Sequence, residues 1–122
     1  MRIFKNKSFE RFVLENDISD KKLYQAIKDA DKGLIEADIG GGVIKQRIAR
    51  DNEGKSGGYR TIIFYRKGDK AFFVHGYAKK DKANIKQHEK KAFKASAKIA
   101  LDLSDKDLDK LIRNKELIEV IL

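Results

Sequence analysis

The chain contains no cysteine and no proline, and it has only two histidines among its 122 residues. Without cysteine it can form neither a disulfide nor a thiolate metal site. No apolar run approaches the ~18 residues that a membrane-spanning helix requires, and the first residues lack the apolar core of a signal peptide. We therefore expect a cytoplasmic protein with no membrane partner.

Positive charge is in excess, and its position along the chain is uneven. The formal net charge is +9, and 41% of the residues are hydrophobic, which favours one folded domain over residues 1–122. Residues 41–80 hold ten basic and three acidic side chains, whereas residues 1–40 hold eight of each. Positive charge concentrated on a rigid surface is typical of proteins that bind nucleic acid.

Residue patterns predict an α+β fold with a small antiparallel sheet of about four strands. Val43–Ala49, Tyr59–Arg66 and Ala71–Ala78 are rich in β-branched and aromatic residues, and their short connections predict antiparallel pairing. Arg2–Lys5 predicts a short edge strand, and the apolar tail Leu117–Leu122 is compatible with another.

Helices are predicted on both sides of the strand segment. The first begins near Ser8 and the second at Ser19, a favourable N-cap, and we expect both to pack on one face of the sheet. Gly40-Gly41-Gly42 is interpreted as a hinge between the second helix and the sheet. A third helix follows residue 81 with Ile99 on its apolar face, and a capping box at Ser104 begins the last.

A group of strand residues has the chemistry for RNA cleavage. When a 2′-hydroxyl attacks the adjacent phosphodiester, charge develops on the non-bridging oxygens, which cations stabilise. We predict that Arg60, Lys45 and Arg47 supply those cations, and that Tyr77 or His75 moves the protons. A histidine at such a position is more often a core or hydrogen-bonded residue than a catalytic one. No metal ion or other cofactor is required, and no His-x-x-x-His pair is present.

Further cations are predicted to contact the nucleic-acid backbone. They are Lys55, Arg50, Arg66, Lys79, Lys80, Lys82 and Lys86. Lysines recur at every fourth position from Lys82 to Lys98, which predicts a slanted basic stripe on the third helix. Gly54-Lys55-Ser56 is not interpreted as a nucleotide-binding loop, because Ala49 stands where that motif needs glycine and a strand follows.

Two motifs, together with the order of the elements, resemble the RelE/ParE superfamily of bacterial toxins, and its RelE-like branch in particular. The motifs are Gly57-Gly58-Tyr59-Arg60 and Tyr77-Ala78-Lys79-Lys80. The resemblance implies the toxin of a type II toxin–antitoxin pair. It also implies that Arg60 supports the scissile phosphate and that Lys45 and Arg47 lie on the strand that supplies basic site residues. In RelE, a functional tyrosine follows the last hairpin strand, near the C-terminus. This chain continues through two more helical segments instead, so the resemblance offers Tyr77 only as a substitute.

The resemblance leaves three functions open. RelE-like members cleave mRNA in the ribosomal A site without a metal, and this ribosome-dependent endoribonuclease activity is our leading prediction. Its partners would be mRNA, the ribosome and a cognate antitoxin of the helix-turn-helix or RelB-like type. The alternatives are a ParE-like toxin that inhibits DNA gyrase without nuclease activity, and a plain nucleic-acid-binding module.

Overall fold

The computed structural model describes residues 1–50, 58–81 and 85–122, and these residues form one six-stranded sheet with four α-helices. The strands are β1 (Arg2–Asn6), β2 (Ala37–Gly40), β3 (Val43–Ile48), β4 (Tyr59–Arg66), β5 (Lys70–Ala78) and β6 (Leu117–Glu119). The helices are α1 (Lys7–Asn16), α2 (Asp20–Asp31), α3 (Gln87–Leu101) and α4 (Asp105–Arg113), and a 3₁₀ turn, Lys79–Asp81, follows β5.

The sheet has the order β2-β3-β4-β5-β1-β6, so the α+β class is confirmed but the prediction of about four strands is wrong. All neighbours are antiparallel except β1 and β5, which run parallel. Strand β1 was expected at an edge, but β6 pairs along its outer side. Strand β2 was not predicted because its residues, Ala-Asp-Ile-Gly, have little β-propensity of their own.

Helices cover both faces of the sheet. Helices α1 and α2 pack on one face through a core that includes Phe9, Leu23 and Phe73. Helices α3 and α4 pack on the opposite face through a core that includes Ile62 and Leu108. The first two helices share one face as expected, and the layer that α3 and α4 form on the other face was not predicted. The sheet is therefore the central layer of three.

Helices α2 and α4 begin at the serines that the sequence predicted as N-caps. Ser19 Oγ accepts a hydrogen bond from the Lys22 amide at 3.3 Å, which confirms the predicted start of α2. Ser104 Oγ accepts one from the Asp107 amide at 3.1 Å, and the Asp107 carboxylate accepts from the Ser104 amide at 3.4 Å. These reciprocal bonds are the predicted capping box, which satisfies amides that have no partner within the helix.

Two local predictions are wrong. Ile99 is 70% exposed, because α3 turns Ala97 and Leu101 into the core instead. The glycine triplet is not a hinge between helix and sheet, since Gly40 ends β2 and the next two residues turn the chain into β3. Gly40, Gly41 and Gly42 have φ values of 98°, 63° and 83°, a region that glycine enters without steric cost.

Of the helices in the described part of the chain, none has the length and apolar character needed to cross a membrane.

Candidate functional site

Three predicted site cations lie on one face of the sheet. Strands β3 and β4 are antiparallel, with Arg47 opposite Arg60 and Lys45 opposite Ile62. Residues that face each other across an antiparallel pair project to the same side, as do residues two apart on a strand. Lys45, Arg47 and Arg60 therefore share the face on which Ile62 packs against the α3 layer. The structure brings these three residues together.

A carboxylate that the sequence did not indicate lies among the three cations. Glu36 Oε1 is 2.8 Å from Arg47 Nε and 2.9 Å from Arg60 Nε, and Oε2 is 3.4 Å from Lys45 Nζ. The amide of Glu36 also donates to the Lys45 carbonyl at 3.1 Å, which extends the pairing of β2 with β3 by one residue. We refer to Glu36, Lys45, Arg47 and Arg60 as the Glu36 cluster.

The carboxyl group of Glu36 remains ionised at neutral pH. Burial by itself would raise its pKa, but the hydrogen bond from Arg47 and the charges of Arg60 and Lys45 outweigh burial. The net effect places the pKa of Glu36 below its ordinary value. The cluster therefore combines three positive charges with one negative charge, and it keeps an excess of positive charge.

Solvent reaches the cations of the cluster to very different extents. The side chain of Arg60 is 3% exposed, that of Lys45 is 17% exposed and that of Arg47 is 45% exposed. An incoming anion therefore meets Arg47 first, while Arg60 forms the floor beneath it.

Close strand packing explains the second glycine of the Gly57-Gly58-Tyr59-Arg60 motif. A Cβ atom on Gly58 would collide with the Ile48 carbonyl oxygen, so any side chain there would push β4 away from β3. That displacement would also separate Arg60 from Arg47, since the two are cross-strand partners. The glycine thus has a structural role in bringing the site together.

The predicted proton-transfer residues lie next to the cluster. Tyr77 is the β5 partner of Arg60, and His75 is the partner of Ile62. The rings of His75 and Tyr77 have centroids 5.7 Å apart, and Phe93 of α3 lies 6.0 Å from the His75 ring. Burial and, after it, the negative charge of Glu36 raise the pKa of the Tyr77 phenol, although Arg60 opposes the shift. The phenol is therefore protonated at neutral pH, and the raised pKa means that it holds this proton more tightly than a free phenol does.

The remaining predicted binding residues are dispersed. Arg66 lies at the other end of β4, and six residues at about 3.3 Å each place it roughly 20 Å from Arg60. Its guanidinium donates to the Leu101 carbonyl at 2.7 Å and to the Asp102 carboxylate at 3.1 Å. The guanidinium carbon of Arg50 is 5.1 Å from the centre of the Tyr59 ring, which belongs to the core under α1 and α2. Arg50 is therefore not brought together with Arg60.

The last predicted cations flank the end of β5 and the start of α3. Lys79 and Lys80 are exposed in the 3₁₀ turn after Tyr77, and Lys86 is exposed just before α3. Lys55 and Lys82 lie outside the described residues, as does the Gly54-Lys55-Ser56 segment. Within the described ranges, no group of three His, Asp or Glu side chains is placed to hold a metal ion.

Sequence reasoning missed Glu36 because it treated the glycine triplet as a hinge. Had the triplet been interpreted as a hairpin turn, the resulting β2–β3 pair would have placed Ala37 opposite Lys45. Glu36, the residue before Ala37, would then have been expected beside the basic strand. The useful signal was three successive glycines between two short segments that each contain β-branched residues.

Comparison with known proteins identifies the family. No curated protein matches the chain significantly. A family model described as the RelE toxin of the RelE/RelB toxin–antitoxin system matches residues 1–120, which is nearly the whole sequence. The chain therefore belongs to the RelE family, the toxins of RelE/RelB toxin–antitoxin systems.

Proposed function

We propose that this toxin is a ribosome-dependent, metal-independent endoribonuclease that cleaves mRNA and so inhibits translation. The observation that carries the proposal is the Glu36 cluster, in which three cations meet on one sheet face beside Tyr77 and His75. Membership of the RelE family supports the same reading, since endoribonuclease activity is general among these toxins.

The cluster is suited to stabilising a phosphodiester during attack by its own 2′-hydroxyl. The phosphate approaches the exposed Arg47 first and comes to share Lys45 and Arg60 with Glu36. In the transition state, the non-bridging oxygens gain negative charge, and donors already fixed in place stabilise it without reorganising. Glu36 would be the group that holds the three long side chains in position before RNA arrives.

Two proton transfers complete the proposed reaction. His75, as a neutral imidazole, accepts the proton of the 2′-hydroxyl as the 2′-oxygen forms its bond to phosphorus. Tyr77 donates its phenolic proton to the 5′-oxygen as the bond between phosphorus and that oxygen breaks. The products are a 2′,3′-cyclic phosphate and a free 5′-hydroxyl. The Tyr77 phenol carries the proton that this role needs, and the charge of Arg60, which lowers the pKa of the phenol, would assist the transfer.

The proposed partners follow from the same surface. RelE-family toxins pair with an antitoxin, and we propose one of the RelB-like or helix-turn-helix type with an acidic segment that covers the Glu36 cluster. Such a segment would satisfy the excess positive charge and block the approach of mRNA. The ribosome would position the mRNA codon against the cluster.

Replacing Arg60 tests the nuclease proposal. We expect Arg60→Ala to lower mRNA cleavage by at least ~10²-fold, because one preorganised donor to the reacting phosphate is lost. The measurement is the mapping of transcript 5′ ends after brief expression of each variant. Arg113→Ala, which removes an exposed arginine on α4, serves as the charge-matched control.

Two further measurements keep this test decisive. Because Arg60 is buried, thermal unfolding of Arg60→Ala is recorded, and the half-exposed Arg47 is replaced in a second variant, Arg47→Gln. Intact transcripts in cells arrested by the wild-type toxin would contradict the proposal. Stabilised DNA cleavage complexes with purified gyrase, together with intact RNA, would favour the ParE-like alternative.

A further inference from the structure

A second basic groove lies between the β2–β3 turn and the C-terminal half of α3. Its volume is about 590 Å³, and its walls include Gly41 and Gly42 on one side and Lys94 and Lys98 on the other. Arg66, at the end of β4, also lines it. We call this cavity the Lys94 groove.

The groove contains positive charge that the described residues do not fully neutralise. Lys94 and Lys98 are exposed and stand one helical turn apart on α3. Neither forms an ion pair with any residue in the described part of the chain. Arg66, in contrast, is held by the Leu101 carbonyl and by Asp102, which fixes it as part of the wall. Asp102 also lines the groove and pairs with Arg66, so the described lining keeps the net positive charge of Lys94 and Lys98, which is suited to an anion.

The glycine turn brings the opposite wall of the groove close to α3. A Cβ atom on Gly42 would lie 2.6 Å from Leu101 Cδ1, and one on Gly41 would lie 3.2 Å from Lys94 Cγ. The turn therefore packs against α3 more closely than any residue with a side chain would allow. This contact sets the width of the groove and directs the Lys94 stem along the turn.

The Lys94 groove and the Glu36 cluster are connected by α3. Phe93 of this helix packs against His75, near the cluster, whereas Leu101 packs against Gly42, at the groove. These two residues are eight positions apart, so the path between them along the helix is roughly 12 Å. One extended polyanion can therefore contact both sites along a single side of the molecule.

We propose that the Lys94 groove binds the phosphodiester backbone of single-stranded RNA that continues beyond the cleavage site. This inference rests on the proposed function, which supplies RNA as the ligand of the cluster. RNA is favoured over an acidic peptide because its charges recur at every nucleotide, as the lysines of α3 recur at every fourth residue. An acidic protein partner would also need an apolar anchor, but Leu101 of the groove is already buried in the core, and the exposed Ile99 of α3 does not line the groove.

The test removes the two free charges and leaves the core untouched. The variant is Lys94→Gln with Lys98→Gln, and the control is Lys106→Gln with Lys110→Gln, an exposed pair with the same spacing on α4. The probe is a single-stranded RNA of about 12 nucleotides, made uncleavable by 2′-deoxy substitution. Its Kd is measured at several salt concentrations.

We expect the Lys94/Lys98 variant to bind the RNA about tenfold more weakly than the control. The slope of log K against log salt should fall by about 1.4, the value for two lost contacts to a single strand. Co-sedimentation with purified ribosomes separates the sources of RNA. A loss of affinity for the free oligonucleotide supports the proposal, whereas a loss confined to ribosomes would make ribosomal RNA the ligand and would contradict it.

Equal RNA and ribosome binding by the two double variants would overturn the inference. So would a Lys94/Lys98 variant that binds RNA like the control but loses affinity for the purified antitoxin. Transcript mapping distinguishes this failure from failure of the nuclease proposal. If the wild-type protein leaves transcripts intact and the Lys94/Lys98 variant still loses RNA affinity, the groove stands and the catalytic assignment falls.

Discussion

At the scale of the residue, Glu36 has two opposing effects on the site it organises. It fixes three long side chains before any ligand arrives, and under the proposed function such preorganisation would favour RNA binding. It also neutralises part of the charge that attracts a phosphate. A carboxylate in this position therefore improves the geometry of the three cations and lowers their affinity for a phosphate. Replacing it with a neutral side chain of the same shape separates the two effects.

We expect Glu36→Gln to lower the free energy of unfolding by about 1–3 kcal/mol at pH 7, because three cations lose their shared carboxylate. The lowered pKa of Glu36 means that its contribution is present at neutral pH and is lost as the pH falls through the folded-state pKa. The difference between variant and wild type should therefore shrink in acid. Urea unfolding at pH 7 and at about pH 3 measures both values.

The same variant should bind single-stranded RNA more tightly than the wild type, although its mRNA cleavage should fall. Glu15→Gln, at an exposed position on α1, makes the same change in net charge and serves as the control. A Glu36 variant that loses stability and RNA affinity together would show that the carboxylate is only structural. Affinity gained equally by the control would show that net charge alone is responsible.

At the scale of the element, the β2–β3 hairpin serves both sites. Its strands place Glu36 next to Lys45, and its turn forms a wall of the Lys94 groove. The turn depends on backbone conformations at positive φ, and on a close approach to α3 that only glycine permits.

Gly42→Ala should cost more stability than Gly33→Ala, although both positions have similar positive φ values of 83° and 81°. Alanine at Gly33 meets nothing within 4 Å, so only the backbone term of about 1 kcal/mol applies. Alanine at Gly42 would add a collision with Leu101, and we expect at least ~1 kcal/mol more. Thermal unfolding of the two variants checks the difference, and equal costs would contradict this account of the turn.

Elements with a strong local signal were predictable from the sequence. Strand β4 begins and ends at the predicted residues, because its run of β-branched and aromatic side chains is bounded by glycine on both sides. The caps at Ser19 and Ser104 are local in the same sense. Strand β2 has no such signal and forms through pairing with β3, so propensity could not reveal it. The parallel pairing of β1 with β5 joins segments about 68 residues apart, which no local pattern encodes.

The candidate site was predictable only in part, for the same reason. Alternation along β3 and β4 placed Lys45 and Arg47 on one face and suggested that Arg60 would join them. That Arg60 and Arg47 are direct partners depends on register, and the structure supplies it. Glu36 is 24 residues before Arg60 in sequence, and its approach depends on a hairpin that was not expected.

At the scale of the whole molecule, one sheet is shared by two cores, and an ion-pair network joins the ends of the chain. Arg2 on β1 contacts Glu119 on β6 at 2.9 Å, and it also contacts Asp105 and Asp109 of α4 at 3.0 and 2.9 Å. These contacts raise the pKa of Arg2 through hydrogen bonds, first from Glu119 and then from Asp109. These contacts link α4 and β6 to the first strand, and they oppose separate unfolding of the C-terminal elements.

We expect Leu108→Ala to destabilise both helical layers together, as a single domain over residues 1–122 would require. Leu108 is fully buried in the α4 layer, and its truncation should cost about 2–5 kcal/mol. The chain has no tryptophan, so tyrosine fluorescence is recorded in a Tyr77→Phe background, in which every remaining tyrosine lies on α2 or packs against the core under α1 and α2. Denaturation followed by this signal and by far-UV circular dichroism should show one midpoint, shifted equally in both.

The control is Leu14→Ala, at a position 74% exposed on α1. By either signal, it should change the free energy of unfolding by no more than ~0.5 kcal/mol. A Leu108→Ala protein that loses helical signal while its tyrosine midpoint stays unchanged would show that the C-terminal layer unfolds separately, and the shared sheet would then not couple the two cores.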